Sequence, residues 1–142
     1  MPRYMIQVRA TAMSEAGDFP DDPTLVPRMM AFHDEMAQAG VLLDGAGLQP
    51  SSQGFRVQYD AAGQARVMDG PFAEAKELIA GYTLIEVRSR DEALAWARRF
   101  PAPFPGQPCC IEVRPLMGGI DLPPEDAERI IREQLAAIKR GP

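Results

Sequence analysis

Apolar and polar residues alternate along several stretches of the chain, and a two-residue repeat is typical of strands with one buried face. Residues 4–10 show this repeat clearly, and residues 79–88 form the longest such stretch. Residues 41–43 and 109–114 predict two further strands. We therefore expect a β-sheet assembled from strands that are far apart in the chain.

A β-hairpin is predicted from residues 55–59 and 65–68. The segment between them is polar or small and includes Gly63, which can adopt the left-handed conformation found in many hairpin turns. Residues 11–22 are polar and show no such repeat, so they are predicted to form a loop.

The first predicted helix begins at Thr24 or Leu25 and ends at about Ala39. Thr24 is a suitable N-cap, Pro27 falls in the first turn, where its missing N–H is harmless, and Gly40 follows the last turn. The predicted apolar stripe consists of Met29, His33 and Met36, with Met30 and Ala37 beside it.

Two more helices are predicted towards the C-terminus. Ser89, followed three residues later by Glu92, forms a capping box for the second helix, and Pro101 stops it. The third helix begins at about residue 123. Its apolar stripe consists of Ala127, Ile131, Leu135 and Ile138.

This order of elements predicts a single domain over residues 1–142 with an α+β, ferredoxin-like antiparallel sheet and helices on one face. The predicted helix-side positions are Ile6, Val8, Ile85, Val87, Ile111 and Val113. The opposite face would carry Gln7, Arg9, Tyr82, Leu84, Glu86, Arg88, Glu112 and Arg114. That face is either solvated or packed against a second copy of the chain in a dimeric α/β barrel.

Composition and charge argue against two classes of function, nucleic-acid binding and membrane contact. The 142 residues are 46% hydrophobic and carry a net charge of −5, the wrong sign for a surface that neutralises nucleic-acid phosphates. Neither a signal peptide nor an apolar stretch of membrane-spanning length is evident, so we expect a cytoplasmic protein without membrane contact.

The cysteine and histidine content argues against a metal site or other cofactor. Cys109 and Cys110 are adjacent within a predicted strand, so their side chains would point to opposite faces. We expect two ordinary buried or half-buried thiols. With His33 as the single histidine, no metal or cofactor is expected.

The most unusual segment is residues 69–77, which follows the predicted hairpin. Asp69, Gly70 and Pro71 predict a rigid corner, because an Asx-type turn, a permissive glycine and a fixed proline φ coincide there. The corner also contains Phe72, Glu74, Lys76 and Glu77. It is either a plain turn with solvated charges or the wall of a polar pocket that also contains Asp44 at the end of a strand.

His33 has two possible roles. As the single imidazole it would have to serve any histidine-dependent step, yet a histidine at the margin of a helix core is often structural. No serine or cysteine nucleophile is spaced to form a triad with it.

Several segments resemble the DGPF branch of the YCII-related domain family. Residues 69–77, 79–82, 91–97 and 111–115 carry the resemblance, and residues 39–52 fit its middle. The resemblance implies a ferredoxin-like fold assembled as a dimeric α/β barrel. It also implies a possible part in transcription initiation, because some members of the family are linked to sigma factors.

A few relatives in this family resemble lyases. Their activity depends on a histidine in the first helix and an aspartate before a Pro-Phe pair. By the resemblance, these positions fall near Met29 and at Phe100, so the lyase activity does not transfer directly.

Three functional hypotheses follow. The first is a homodimeric domain that binds a small molecule or regulates, with a pocket bounded by residues 69–77, Asp44 and His33. The second is an enzyme of the elimination type, with His33, Asp69 or Glu74 in acid–base roles and Lys76 or Arg9 stabilising negative charge. The third is a module that docks a sigma factor.

Overall fold

The computed structural model describes residues 1–118 and 124–140 of the chain. In chain order, the elements are β1 (Arg3–Arg9), α1 (Ala12–Glu15), α2 (Leu25–Gln38), β2 (Leu42–Gly47), β3 (Phe55–Tyr59), β4 (Ala65–Asp69), β5 (Ile79–Glu86), α3 (Arg90–Arg99), β6 (Ile111–Pro115) and α4 (Pro124–Arg140).

Four of the strands form one antiparallel sheet in the order β2-β5-β1-β6. The other two, β3 and β4, pair only with each other as the predicted hairpin. The expected α+β class and the antiparallel sheet are therefore confirmed.

The hydrophobic core lies between one face of this sheet and the helices α2 and α3. Its buried members are Ile6, Phe32, Met36, Val41, Ile85, Val87 and Ala93. The predicted stripe of α2 is partly wrong: Phe32 is buried in the core, whereas Met30 is 64% exposed. Met29 and His33 lie at the margin of the stripe, where both are half-buried.

The register of the strands confirms the predicted division of the sheet into two faces. Ile6 pairs with both Thr83 and Val113 on the helix side, while Gln7 pairs with both Tyr82 and Glu112 on the open side. Of the open-face residues predicted from the sequence, Arg88 alone lies beyond the end of its strand.

A polar pair extends the open face to the edge of the sheet. The Tyr82 hydroxyl donates a hydrogen bond of 3.0 Å to the Asp44 carboxylate. This hydrogen bond, together with the negative charge of Asp44, raises the pKa of the Tyr82 hydroxyl.

The segment before α2 differs from the prediction of a loop over residues 11–22. It contains α1, which Thr11 and Ser14 cap reciprocally. A helix of four residues is too short to produce a hydrophobic repeat, so periodicity could not reveal it.

Thr24 also fails to cap α2, because its hydroxyl donates to Asp22 at 2.6 Å. This bond and the one from the Thr24 N–H lower the pKa of Asp22.

Two other local expectations need correction. β6 begins at Ile111, so Cys109 and Cys110 precede it and both thiols are exposed rather than buried or half-buried. Ser89 accepts the Glu92 N–H as predicted, but the Glu92 carboxylate accepts the N–H of Arg88 instead of that of Ser89. The cap of α3 is therefore extended by one residue.

The helix α4 is confirmed from Pro124 onwards, and the start expected near residue 123 lies outside the described residues. Ile131, Leu135 and Ile138 of its apolar stripe are exposed. Within the described residues, no helix combines the length and hydropathy needed to cross a membrane.

We expect Met36→Ala to lower the free energy of unfolding by about 2–5 kcal/mol, because the side chain is fully buried and its removal leaves a cavity. Met30→Ala on the exposed face of the same helix is the matched control and should change stability by less than about 0.5 kcal/mol. Urea denaturation measures both values. Equal losses in the two variants would contradict the orientation of α2.

Candidate functional site

A cavity of about 600 Å³ lies on the helix side of the sheet, between α2 and the edge formed by β2 and β5. Met29 and His33 line it from α2, Phe100 and Phe104 from the end of α3 and the loop beyond it. Residues 17–20 and 48–50 complete its wall. The cavity is mostly apolar and opens to solvent.

The floor of the cavity is made of glycine backbone. Gly45 pairs with Thr83 and Gly47 pairs with Gly81, so three of these four helix-facing positions have no side chain. A Cβ atom at Gly47 would meet nothing within 4 Å, whereas one at Gly81 would lie 3.0 Å from the Ala46 carbonyl oxygen. The space beneath α2 therefore remains open where the floor consists of glycine.

His33 joins α2 to this floor. Its Nδ1 lies 2.8 Å from the Met29 carbonyl oxygen, and its Nε2 lies 2.8 Å from Thr83 Oγ1. A carbonyl can only accept, so Nδ1 carries a proton, and in the neutral ring Nε2 accepts the proton of the Thr83 hydroxyl. Thr83 is only 2% exposed. Both ring nitrogens of His33 are therefore satisfied within the protein.

Few polar side chains line the cavity. Ser14, Asp18 and Gln49 are among them, and Asp18 and Gln49 are exposed. The Ser14 hydroxyl is already engaged with the backbone of Thr11. Among the described residues, the lining contains no lysine or arginine, and Asp18 is its one acidic residue.

The structure separates the residues that the sequence grouped into one pocket. His33 and its neighbour Gly45 line the cavity, but Asp44 faces the open side of the sheet and bonds Tyr82. None of residues 69–77 lines the cavity. Their assignment to ligand binding stays a prediction, and no described hydrogen bond joins them to His33.

The corner at residues 69–77 instead packs against the turn at Ser51–Gln53. The Phe72 N–H donates to Ser51 Oγ at 3.0 Å, and the Gly70 N–H donates to the Gly54 carbonyl oxygen at 3.0 Å. The Gly70–Pro71 peptide bond is cis. A Cβ atom at Gly70 would lie 1.8 Å from the Ser51 carbonyl oxygen, so this close approach requires glycine.

Glu15 also bonds to the same turn. Its carboxylate accepts the Ser51 N–H at 2.9 Å and also the Ser51 hydroxyl. Residues 48–50, which line the cavity, directly precede Ser51, and the Leu48 N–H donates to the Ala80 carbonyl oxygen at 2.8 Å. The corner and Glu15 therefore both contact the turn that directly follows this part of the cavity wall.

The charged residues of the corner lie at the surface. Glu74, Lys76 and Glu77 are exposed, and the Arg9 guanidinium donates to the backbone carbonyl of Lys76. The Arg56 guanidinium lies 3.8 Å from the centre of the Phe72 ring, a cation–π contact. These contacts attach the corner to β1 and to the hairpin.

The described part of the chain contains no cluster of side chains suited to hold a metal ion. No group of three or more histidine, cysteine, aspartate or glutamate side chains lies close enough there to hold a metal ion.

Comparison with known proteins gives two results. Residues 3–117 match the family model of the YCII-related domain. The chain is also 38% identical over 96 residues to an uncharacterized protein of Rhizobium meliloti (strain 1021), an alignment that covers 68% of this chain and 76% of that protein.

We expect Gly70→Ala to destabilise the protein by roughly 1–3 kcal/mol or more, because the new methyl group would overlap the Ser51 carbonyl oxygen. Gly54→Ala is the matched control, since its Cβ would lie an ordinary 3.6 Å from the same oxygen. Thermal unfolding of both variants provides the measurement. A Gly70→Ala protein as stable as Gly54→Ala would show that the corner does not pack against Ser51 as described.

Proposed function

The chain belongs to the YCII-related domain family, and on that premise we propose that it is a small-molecule-binding domain whose ligand occupies the cavity beneath α2. The curated relative is itself uncharacterized, so the proposal depends on the cavity. The observation that carries it is the glycine floor, which keeps about 600 Å³ free of side chains.

The form of the cavity supports this proposal. Small-molecule sites are typically concave, apolar and about 300–1,000 Å³ in volume, with a few polar groups that orient the ligand. The cavity has this volume, an apolar wall and a small polar rim at Asp18 and Gln49. A glycine in a strand also lowers stability by roughly 0.5–1 kcal/mol relative to alanine, and at Gly47 no neighbouring atom within 4 Å requires this loss.

The hydrogen bonds of His33 favour binding over the elimination reaction. A general base needs a lone pair within reach of the substrate proton. Nδ1 of His33 donates to Met29, and Nε2 is engaged by the Thr83 hydroxyl. The ring therefore acts as a fixed part of the wall. A link to a sigma factor stays a prediction from the resemblance alone.

We also infer a homodimer in which the open face of the sheet packs against its copy as a dimeric α/β barrel. That face carries Met5 and Leu84 at paired positions in addition to its charged residues. The hairpin supports assembly as well, because an isolated pair of strands is only marginally stable and its Phe55 and Tyr59 side chains are exposed.

Filling the floor tests the binding site. We expect Gly47→Val to lower the affinity for an apolar probe, indole, by at least about tenfold, because the new side chain would project into the open space of the cavity. Stability should be maintained, since valine suits a strand better than glycine does. Gly118→Val is the control: its Cβ would also meet nothing within 4 Å, and it does not line the cavity.

Indole titration followed by NMR chemical shifts measures these affinities and shows which backbone amides respond. Shifts at Gly45, Gly47 and Gly81 in the wild type support the site. Indole binding that Gly47→Val leaves unchanged would contradict it.

The dimer is tested by sedimentation equilibrium at micromolar concentration. We expect the wild type to sediment at twice the chain mass of 15.6 kDa, and Leu84→Arg to shift it towards the monomer. Leu94→Arg on α3, which packs on the opposite face of the sheet, is the control and should remain dimeric. A monomeric wild type would contradict the dimer, and a dimeric Leu84→Arg would contradict the choice of face.

A further inference from the structure

We propose that the cavity selects uncharged or amine-bearing apolar molecules and discriminates against carboxylates and phosphates. This inference rests on the proposed function, because it specifies the chemical class of ligand for the same cavity.

The charges of the residues around the cavity are the first reason to expect that anions bind poorly. Among the described residues, no lysine or arginine lines it, and Asp18 provides a negative charge at its rim. The chain as a whole carries a net charge of −5. An anion entering an apolar cavity loses hydration, and without a cation to pair with it that loss is not compensated. A carboxylate or phosphate should therefore bind poorly.

The N-terminus of α2 is a feature that would favour an anion, because Leu25 lines the cavity and helix N-termini attract negative charge. The chain already supplies that anion. The Asp22 carboxylate accepts the Thr24 N–H at 2.9 Å and forms an ion pair of 3.1 Å with Arg28. The helix end and its nearby cation are thus both engaged by Asp22.

Of the remaining hydrogen-bonding side chains, the Gln49 amide can both donate and accept, and the others favour a ligand that donates. His33 and Thr83 bond to each other, and Ser14 bonds to the backbone of Thr11. The Asp18 carboxylate, in contrast, has no hydrogen-bond or ion-pair partner among the described residues. It can accept a hydrogen bond from an ammonium or amine group at the mouth of the cavity.

The shape of the floor suits the apolar part of such a ligand. Gly45, Gly47 and Gly81 present backbone without side chains, and Met29 and Phe100 add apolar side chains to the lining. A planar ring can lie on this surface with its polar substituent directed towards Asp18. The inferred ligand therefore combines a planar apolar body with a neutral or cationic end.

Three probes with the same ring test this inference: indole, tryptamine and indole-3-acetate, which are neutral, cationic and anionic at pH 7. Isothermal titration calorimetry on the full chain measures the three affinities. We expect tryptamine to bind at least as tightly as indole, and at least about tenfold more tightly than indole-3-acetate.

Two variants locate the source of the selectivity. Asp18→Asn should weaken tryptamine binding by about three- to tenfold and leave indole binding unchanged, because only the cationic probe uses the carboxylate. Asp21→Asn removes the same charge three residues away, outside the cavity lining, and should change neither affinity.

The outcomes distinguish this inference from the proposed function. If indole-3-acetate binds as tightly as tryptamine and Gly47→Val abolishes its binding, the cavity is a binding site but the inferred ligand class is wrong. If Asp18→Asn and Asp21→Asn weaken tryptamine equally, the assignment of Asp18 is wrong. If none of the three probes binds, both proposals are contradicted.

Discussion

The hydrogen bond between His33 and Thr83 divides the helix-facing side of the sheet into two parts. On one side of Thr83, Ile85 and Val87 fill the space beneath the helices and form the closed core. On the other side, Gly81 and its partner Gly47 leave the backbone uncovered. His33 is bonded to Thr83 at this boundary, and Met29, one turn earlier in α2, lines the cavity where Gly47 and Gly81 carry no side chain. Both the stability of the core and the access to the cavity depend on this arrangement.

The unusual corner at residues 69–77 has a supporting role in this arrangement. Its contact with Ser51, together with the bonds from Glu15, fixes the turn that follows the cavity wall. Residues that carry the recognisable pattern in the sequence therefore contact the turn that follows residues 48–50 and do not face the cavity. The exposed charges of the corner remain available for a partner, and the structure gives them no contact with His33.

Much of the fold could be predicted from local patterns, whereas the cavity could not. Two-residue alternation identified β1 and β5, and Ser89 and Gly40 marked the ends of helices, because those signals arise within a few residues. The strand predicted over residues 41–43 instead spans Leu42–Gly47. The His33–Thr83 bond joins residues 50 positions apart, and the Glu15–Ser51 bond joins residues 36 positions apart. The glycine floor depends on the pairing of β2 with β5, a register that no local pattern reveals. An available signal was the recurrence of glycine at every second position, 45 and 47, which keeps one face of a strand empty.

A crystal structure of the wild-type protein under xenon pressure tests the central claim most directly, because xenon enters apolar cavities without needing a specific chemical partner. The account predicts xenon density in van der Waals contact with the backbone of Gly47 and Gly81, beneath Met29. Density elsewhere only, or a cavity filled by α2 or by the side chains of its own wall, would contradict the account.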